Sequence, residues 1–295
     1  MGRTKIEWTA TLGQDGTVHP GYSFNPWIGC AKVSPACDRC YAESWAKRSG
    51  LVTWGGPRRR TAPATWAQPI RWNRHAAETG VRYKVFCASL ADVFDSDVPA
   101  QWRADLFALI RETPNLTWLL LSKRIGNAKR MLPADWHNGY SNVALGSTIA
   151  NQTEADRDTS KLLAIPASVH FVSCEPLLGE VDFSCIPWPA TRQVIDDPSE
   201  GFDALRYRSG PHIDWVIVGG ESGHGARPPN PAWVRSLRDD CRRARVPFFF
   251  KQWGQFMPSD DPATAPIRVH SKHAAGRLLD GRTWNETPFR LIQTA

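Results

Sequence analysis

Three cysteines fall within eleven residues, Cys30, Cys37 and Cys40, spaced C-x6-C-x2-C in NPWIGCAKVSPACDRCYAE. Three thiolates on one short loop can hold three irons of a [4Fe–4S] cluster and leave the fourth iron open. An open iron can take the amino and carboxylate groups of S-adenosylmethionine and pass it one electron, cleaving a C–S bond. The cofactor supplies that chemistry and the protein positions it. A zinc site on the same thiolates needs a fourth ligand, for which His19 and Cys87 are candidates, and the second C-x2-C pair of a zinc ribbon is missing. A redox C-x2-C would leave Cys30 without a role, and buried structural cysteines suit so polar a loop poorly. Cys87, Cys174, Cys185 and Cys241 lie on apolar stretches and read as core. An odd total of seven, in a chain with no secretion signal, argues for reduced thiols rather than a disulfide framework.

The charge is concentrated. Residues 41–84 hold nine Lys/Arg against Glu43 and Glu78, so this window carries +7, the whole net charge of the chain. Trp45, Trp54, Trp66 and Trp72 are interleaved with it, a pattern suited to a polyanion whose bases can stack, DNA or RNA. Arg58-Arg59-Arg60, beside Trp54 and Gly55-Gly56, read as a mobile basic tip for phosphates, with Trp54 available to a base. The plainer alternative is a solvated face whose long side chains cover core tryptophans.

The elements that must position these groups recur as a short apolar run, a polar cluster at its end, then a helical stretch. The runs are Ser23–Ile28, Lys84–Ser89, Thr117–Leu121, Asn142–Ser147, Ser168–Ser173, Asp214–Val218 and Pro247–Phe250. Helices are expected at Tyr41–Arg48, Pro99–Glu112 and Pro231–Arg245. Strands alternating with helices imply parallel βαβ units, and the expected fold is α/β, a partial (β/α) barrel of about six to seven parallel strands. In such a barrel the C-terminal strand ends carry the site. Here those ends read Ser89 to Asp92, Ser122-Lys123-Arg124, Ser147-Thr148, Ser173-Cys174-Glu175, Gly219-Gly220-Glu221-Ser222 and Lys251-Gln252. Gly219-Gly220 is read as a close approach of backbone to a ligand.

With 295 residues, 42% hydrophobic and 22% charged, the chain can bury a sizeable core and is not globally disordered. No apolar run reaches membrane-spanning length. The start, MGRTKIEWTA, lacks the apolar core of a signal peptide, and Ile6 stands where myristoylation wants Ser or Thr, so a cytoplasmic protein without membrane contact is expected. One domain is expected over residues 1–256, with a basic insert at about 50–83, a loop insert at about 190–212, and a C-terminal extension at 257–295.

With these residues in hand, the chain resembles the phage-encoded three-cysteine-motif family, related to radical S-adenosylmethionine enzymes. The resemblance runs from Ile6 to about Gly254 through Ile6-Glu7-Trp8-Thr9, NPWIGC…SPACDRCYAE, FCASLADVF, LLLSKR, ALGSTIANQ, FVSCEPLLG, VIVGGESG and FFFKQWG. Cys40-Tyr41 and the Ser/Asp after the second strand are more distantly similar to spore photoproduct lyase-like enzymes. The superfamily's usual spacing is C-x3-C-x2-C, and here the first gap is six. The resemblance implies Cys30, Cys37 and Cys40 as cluster ligands. It places Ser89 and Asp92 at the cofactor's amino group, where the competing role for Asp92 is a helix N-cap. Lys123 and Arg124 would meet the cofactor carboxylate or a substrate phosphate, and Ser147 the ribose. Glu175 and Glu221 would bind hydroxyls or transfer protons, the alternative being ion pairs with Lys123, Arg124 or Arg227.

The expectation is therefore a radical enzyme with a [4Fe–4S] cluster and S-adenosylmethionine, modifying or repairing a nucleic acid or nucleotide-derived substrate. It needs an electron donor, and a partner protein stays open. The rivals are a zinc-stabilised nucleic-acid-binding module and a radical enzyme acting on a small metabolite.

Overall fold

The apolar runs of the sequence become the wall of one parallel sheet. The computed structural model describes residues 2–13, 15–188, 201–207, 210–259 and 265–289. The strands are β1 (Tyr22–Phe24), β2 (Lys84–Cys87), β3 (Thr117–Ser122), β4 (Val143–Thr148), β5 (Val169–Cys174), β6 (Trp215–Val218) and β7 (Phe248–Phe250). Their order in space is their order in the chain, and every neighbouring pair is parallel. A doubly wound sheet reverses strand order at a switch point, and this one does not. The sheet curls into a half barrel, an α/β partial barrel as the alternation predicts.

The expected first strand splits. Pro26 has no N–H to donate to a ladder, so pairing with β2 stops at Phe24, and Trp27–Ile28 pairs instead with Arg59–Arg60. The helices are α1 (Tyr41–Ser49), α2 (Pro63–Trp66), α3 (Gln68–Thr79), α4 (Ala100–Glu112), α5 (Ile125–Met131), α6 (Gln152–Leu163) and α7 (Pro231–Ala244). The segment read as a basic insert thus contains α2 and α3, part of the crossover between β1 and β2. None of the helices among the described residues is long and apolar enough to cross a membrane.

Alternation along each strand sorts the side chains to two faces. Outward, Phe24, Val85, Trp118, Leu120, Leu145, Val172 and Val218 pack with Trp72, Leu106, Leu162 and Leu237 of the helices. Inward, Phe86, Leu119, Phe171, Trp215, Ile217 and Phe249 close on Trp8 from the turn Glu7–Thr9, whose ring centroid is 4.8 Å from that of Phe86. The barrel interior therefore holds an apolar cluster centred on Trp8. Leu279 and Trp284 of the C-terminal extension join the outer core, and Phe250 N donates to Trp284 O at 3.0 Å, covering the edge at β7. The expected loop insert lies largely outside the described residues.

Candidate functional site

The polar strand ends meet at the C-terminal mouth of the half barrel, and the cysteine loop lies across it. Cys30 follows Trp27–Ile28. Ser34 then caps the turn Pro35–Cys37 by accepting from Ala36 N at 3.0 Å, and Cys40 occupies the N-cap position of α1. Cys30 and Cys40 are half-buried and Cys37 is buried. No disulfide joins any of the seven cysteines. A small apolar cluster of Ile28, Ala42 and Leu90, with Trp45 and Trp54 packed on it, seats the loop on the mouth.

Two arginines fasten it. Arg124, just past β3, donates from Nη1 to Cys30 Sγ at 3.1 Å and from Nη2 to Ala31 O at 2.8 Å. Arg227 donates to Pro35 O at 2.9 Å and to Asp38 Oδ2 at 3.2 Å, while its other contacts hold the buried Glu221 carboxylate at 2.6 and 2.9 Å. Burial pushes the Cys30 thiol up to about 11, and the Arg124 charge opposes that shift.

Asp92 is fully engaged by the protein. Oδ1 accepts from Phe94 N at 3.0 Å and Ser122 Oγ at 2.7 Å; Oδ2 accepts from Lys123 N at 2.9 Å, with Arg124 Nη1 at 3.5 Å. It does not cap α4, whose N-cap is Pro99. The helix-cap role for Asp92 is corrected: its oxygens orient the end of β3 through Phe94 N, Ser122 and Lys123 N. Ser89 accepts from the Asn25 side-chain amide at 3.0 Å, and its carbonyl accepts the Tyr41 hydroxyl at 2.6 Å. Asn25 also takes Leu90 N at 2.7 Å, so it fixes the β1 and β2 ends together. Sequence reasoning missed it; the Asn-Pro pair closing a strand was the only signal.

At the other side of the mouth, Glu175 is bonded by Lys251 Nζ at 2.6 and 2.8 Å. Glu221 pairs with Arg227, so both carboxylates follow the ion-pair alternative, with partners Lys251 and Arg227. The small residues Gly219-Gly220 are explained by protein. A Cβ on Gly219 would stand 3.3 Å from the Glu175 carboxyl carbon, and one on Gly220 would collide with Trp253 O at 2.3 Å. Ser147 is completely buried and alternates onto the outer face with Val143 and Leu145, not into the barrel. Lys123 is half-buried, and its ammonium has no partner among the described residues.

The arginine triplet is not a mobile tip. Arg58 is buried and bonds Asp95 at 2.7 Å and Asp97 at 2.9 Å. Arg60 pairs with Asp105 at 2.6 Å and lies over the Trp66 ring at 4.3 Å. Arg59 is exposed but held in the two-residue ladder with Ile28. Trp54 packs in the cluster under the loop rather than offering a free face. Carboxylates from the β2–α4 segment, remote in sequence, neutralise this charge, so the tip reading is corrected. Cys185 is exposed, whereas Cys87, Cys174 and Cys241 are buried as expected.

The two candidate fourth zinc ligands are unsuited. His19 lines a cavity of about 840 Å³ at the opposite pole, with Lys84 and Thr117 at the strand starts, and Cys87 is sealed in the outer core. That cavity lies far from the cysteines, at the pole where barrel residues serve stability. Among the described residues no group of three or more His, Cys, Asp or Glu is gathered tightly enough to hold a metal ion. What the loop offers is three separate reduced thiols, a donor set that suits a cluster. Beside it runs a groove of about 480 Å³ between α1 and the loop after β6.

Fold and site define a parallel half-barrel protein with a thiol-bearing loop across its C-terminal mouth. Residues 3–288 match the DUF5131 family, described as a protein of unknown function, and the chain belongs to that family. No curated protein and no solved structure matches it.

Proposed function

We propose that the chain is a radical S-adenosylmethionine enzyme in which Cys30, Cys37 and Cys40 hold a [4Fe–4S] cluster, acting on a nucleic acid or a nucleotide-derived substrate. One observation carries the reading: three reduced thiols on a single loop, fastened by Arg124 and Arg227 over the C-terminal mouth of a half barrel. When bound, cluster and cofactor would supply one-electron cleavage of a C–S bond. The chain's own groups do the rest. Arg124 puts a fixed positive charge at Cys30 and favours its thiolate. Lys123, whose ammonium has no partner among the described residues, is the cation for a carboxylate or phosphate. Glu175, held by Lys251 at the mouth, can accept hydrogen bonds from substrate hydroxyls. Trp8 and the rings around it form an apolar floor inside the barrel.

The test is iron and sulfide content after anaerobic purification, followed by release of 5′-deoxyadenosine from S-adenosylmethionine. Replacing Cys30, Cys37 or Cys40 by Ala abolishes iron loading, while Cys185→Ala and Cys241→Ala keep it. A colourless, iron-free wild type, or equal bleaching by Cys241→Ala, overturns the reading.

A further inference from the structure

The arginines that the sequence offered to nucleic acid are spent on carboxylates, yet a different set of cations is not. The groove between α1 and the loop after β6 is lined by Lys32, Arg39, Lys47 and Arg48, against the acids Asp38 and Glu43. Both acids are occupied: Glu43 lies 3.3 Å from Lys32 and 2.9 Å from Lys47, and Asp38 lies 3.2 Å from Arg227. Arg39 and Arg48 are exposed and have no carboxylate partner among the described residues. Cys40 and Tyr41 open into the same groove. The Tyr41 ring is 56% exposed and makes no ring contact among the described residues, while its hydroxyl is tied to Ser89 O at 2.6 Å. A ring fixed at one end with a bare face is a stacking platform.

We propose that this groove, and not the Arg58–Arg60 ladder, receives a single-stranded nucleic acid, with phosphates on Arg39 and Arg48 and a base against Tyr41. The proposal rests on the nucleic-acid reading of the site and names where that substrate lies. At about 480 Å³ the groove has the size of a small-ligand cleft and holds about one nucleotide unit. A docked protein instead needs a broad face of about 800 Å². The groove leads to Cys40, so a strand held there passes the cysteine loop on its way to the mouth.

Anisotropy of a fluorescein-labelled single-stranded RNA oligonucleotide, and of the DNA with the same sequence, titrated with the as-purified protein over a range of salt, tests this. Single-strand affinity falls with salt at about 0.7 log–log units per neutralised phosphate, so Arg39→Gln with Arg48→Gln should flatten the slope by about 1.4. Arg59→Gln, exposed but outside the groove, should leave it unchanged. Tyr41→Ala should weaken binding about 5- to 150-fold and Tyr41→Phe much less. Both arginines are exposed and have no carboxylate partner among the described residues, so the fold tolerates their loss. The RNA and DNA arms report whether a 2′-hydroxyl is read. An unchanged slope in the double variant, or no binding of either oligonucleotide, overturns the proposal. So does binding of an acidic flavoprotein electron carrier in place of the oligonucleotides. Iron counted on the same preparations keeps the two readings apart: oligonucleotide binding without iron supports the groove and rejects the cluster.

Discussion

Arg124 Nη1 stands 3.1 Å from Cys30 Sγ and 3.5 Å from Asp92 Oδ2, so one guanidinium joins the cysteine loop to the carboxylate that orients the end of β3. Removing it in Arg124→Met should raise the metal-free Cys30 thiol further above its burial-shifted value of about 11. Alkylation of Cys30, followed by mass spectrometry across pH, should slow by about three- to tenfold, with the midpoint of the rate profile moving up. Arg124→Lys should not restore the rate, because an ammonium cannot reach Sγ and Ala31 O together. A rate equal to wild type in Arg124→Met would separate the two residues.

Adjacent arginines should differ sharply in stability. Arg58→Ala leaves the buried Asp95 carboxylate with the Asp97 N–H at 3.1 Å and a longer ionic contact to Arg124 at 3.8 Å, and should cost about 3 kcal/mol in urea unfolding. Arg59→Ala removes an exposed side chain and should cost within about 0.5 kcal/mol. Equal costs would contradict the burial difference.

Arg227→Ala should loosen the cysteine loop while leaving Glu221 buried and unpaired. Amide exchange at Ala36–Arg39 should quicken, and stability should fall by about 2 kcal/mol, less than for a fully enclosed pair because Arg227 is a third exposed. Adding Glu221→Gln should recover part of the stability but none of the loop protection. Restored protection in the double variant would show that Arg227 does not hold the loop.

Lys84 is 2% exposed, and burial lowers it from its ordinary value to about 7, with Nζ donating to Ala10 O at 2.8 Å. Unfolded, it titrates near ~10.4. Between these values the unfolded chain holds a proton that the folded one lacks, so stability rises with pH across this window. Below about 7 both states are protonated and this contribution is constant. Measured against Lys84→Met, wild type should gain about 3–4 kcal/mol between about pH 7 and pH 10. A difference that is flat with pH would mean the ammonium is charged in the fold.

The strands were legible because parallel strands covered on both faces carry near-continuous apolar runs, such as Leu116–Leu121, and because turn residues punctuate them. The cysteine loop was legible from spacing, and its place at the mouth followed from its position after the first strand. The roles of the charges were not. Arg58 meets Asp95, 37 positions away, and Arg60 meets Asp105, 45 positions away, so a count over a sequence window could not see that they cancel. The packing that keeps Gly219 and Gly220 small was hidden for the same reason, since Glu175 and Trp253 come from neighbouring strand ends. Arg39 and Arg48 stand out only once it is known that no carboxylate among the described residues pairs with them.

The Arg227 fastening also sets an order of events in synthesis. Asp38 and Arg227 are 189 positions apart, so the cysteine loop leaves the ribosome long before the group that closes its far side. At about 5–20 residues per second, that interval is about 10–40 s. Throughout it the three thiols ride on an unclosed flap, reachable by whatever delivers or oxidises them. A chain stopped after β5 would keep all three cysteines and Arg124 yet never latch. The window for loading the loop is therefore a property of strand order, opened by the first strand and shut by the segment between the sixth and the seventh.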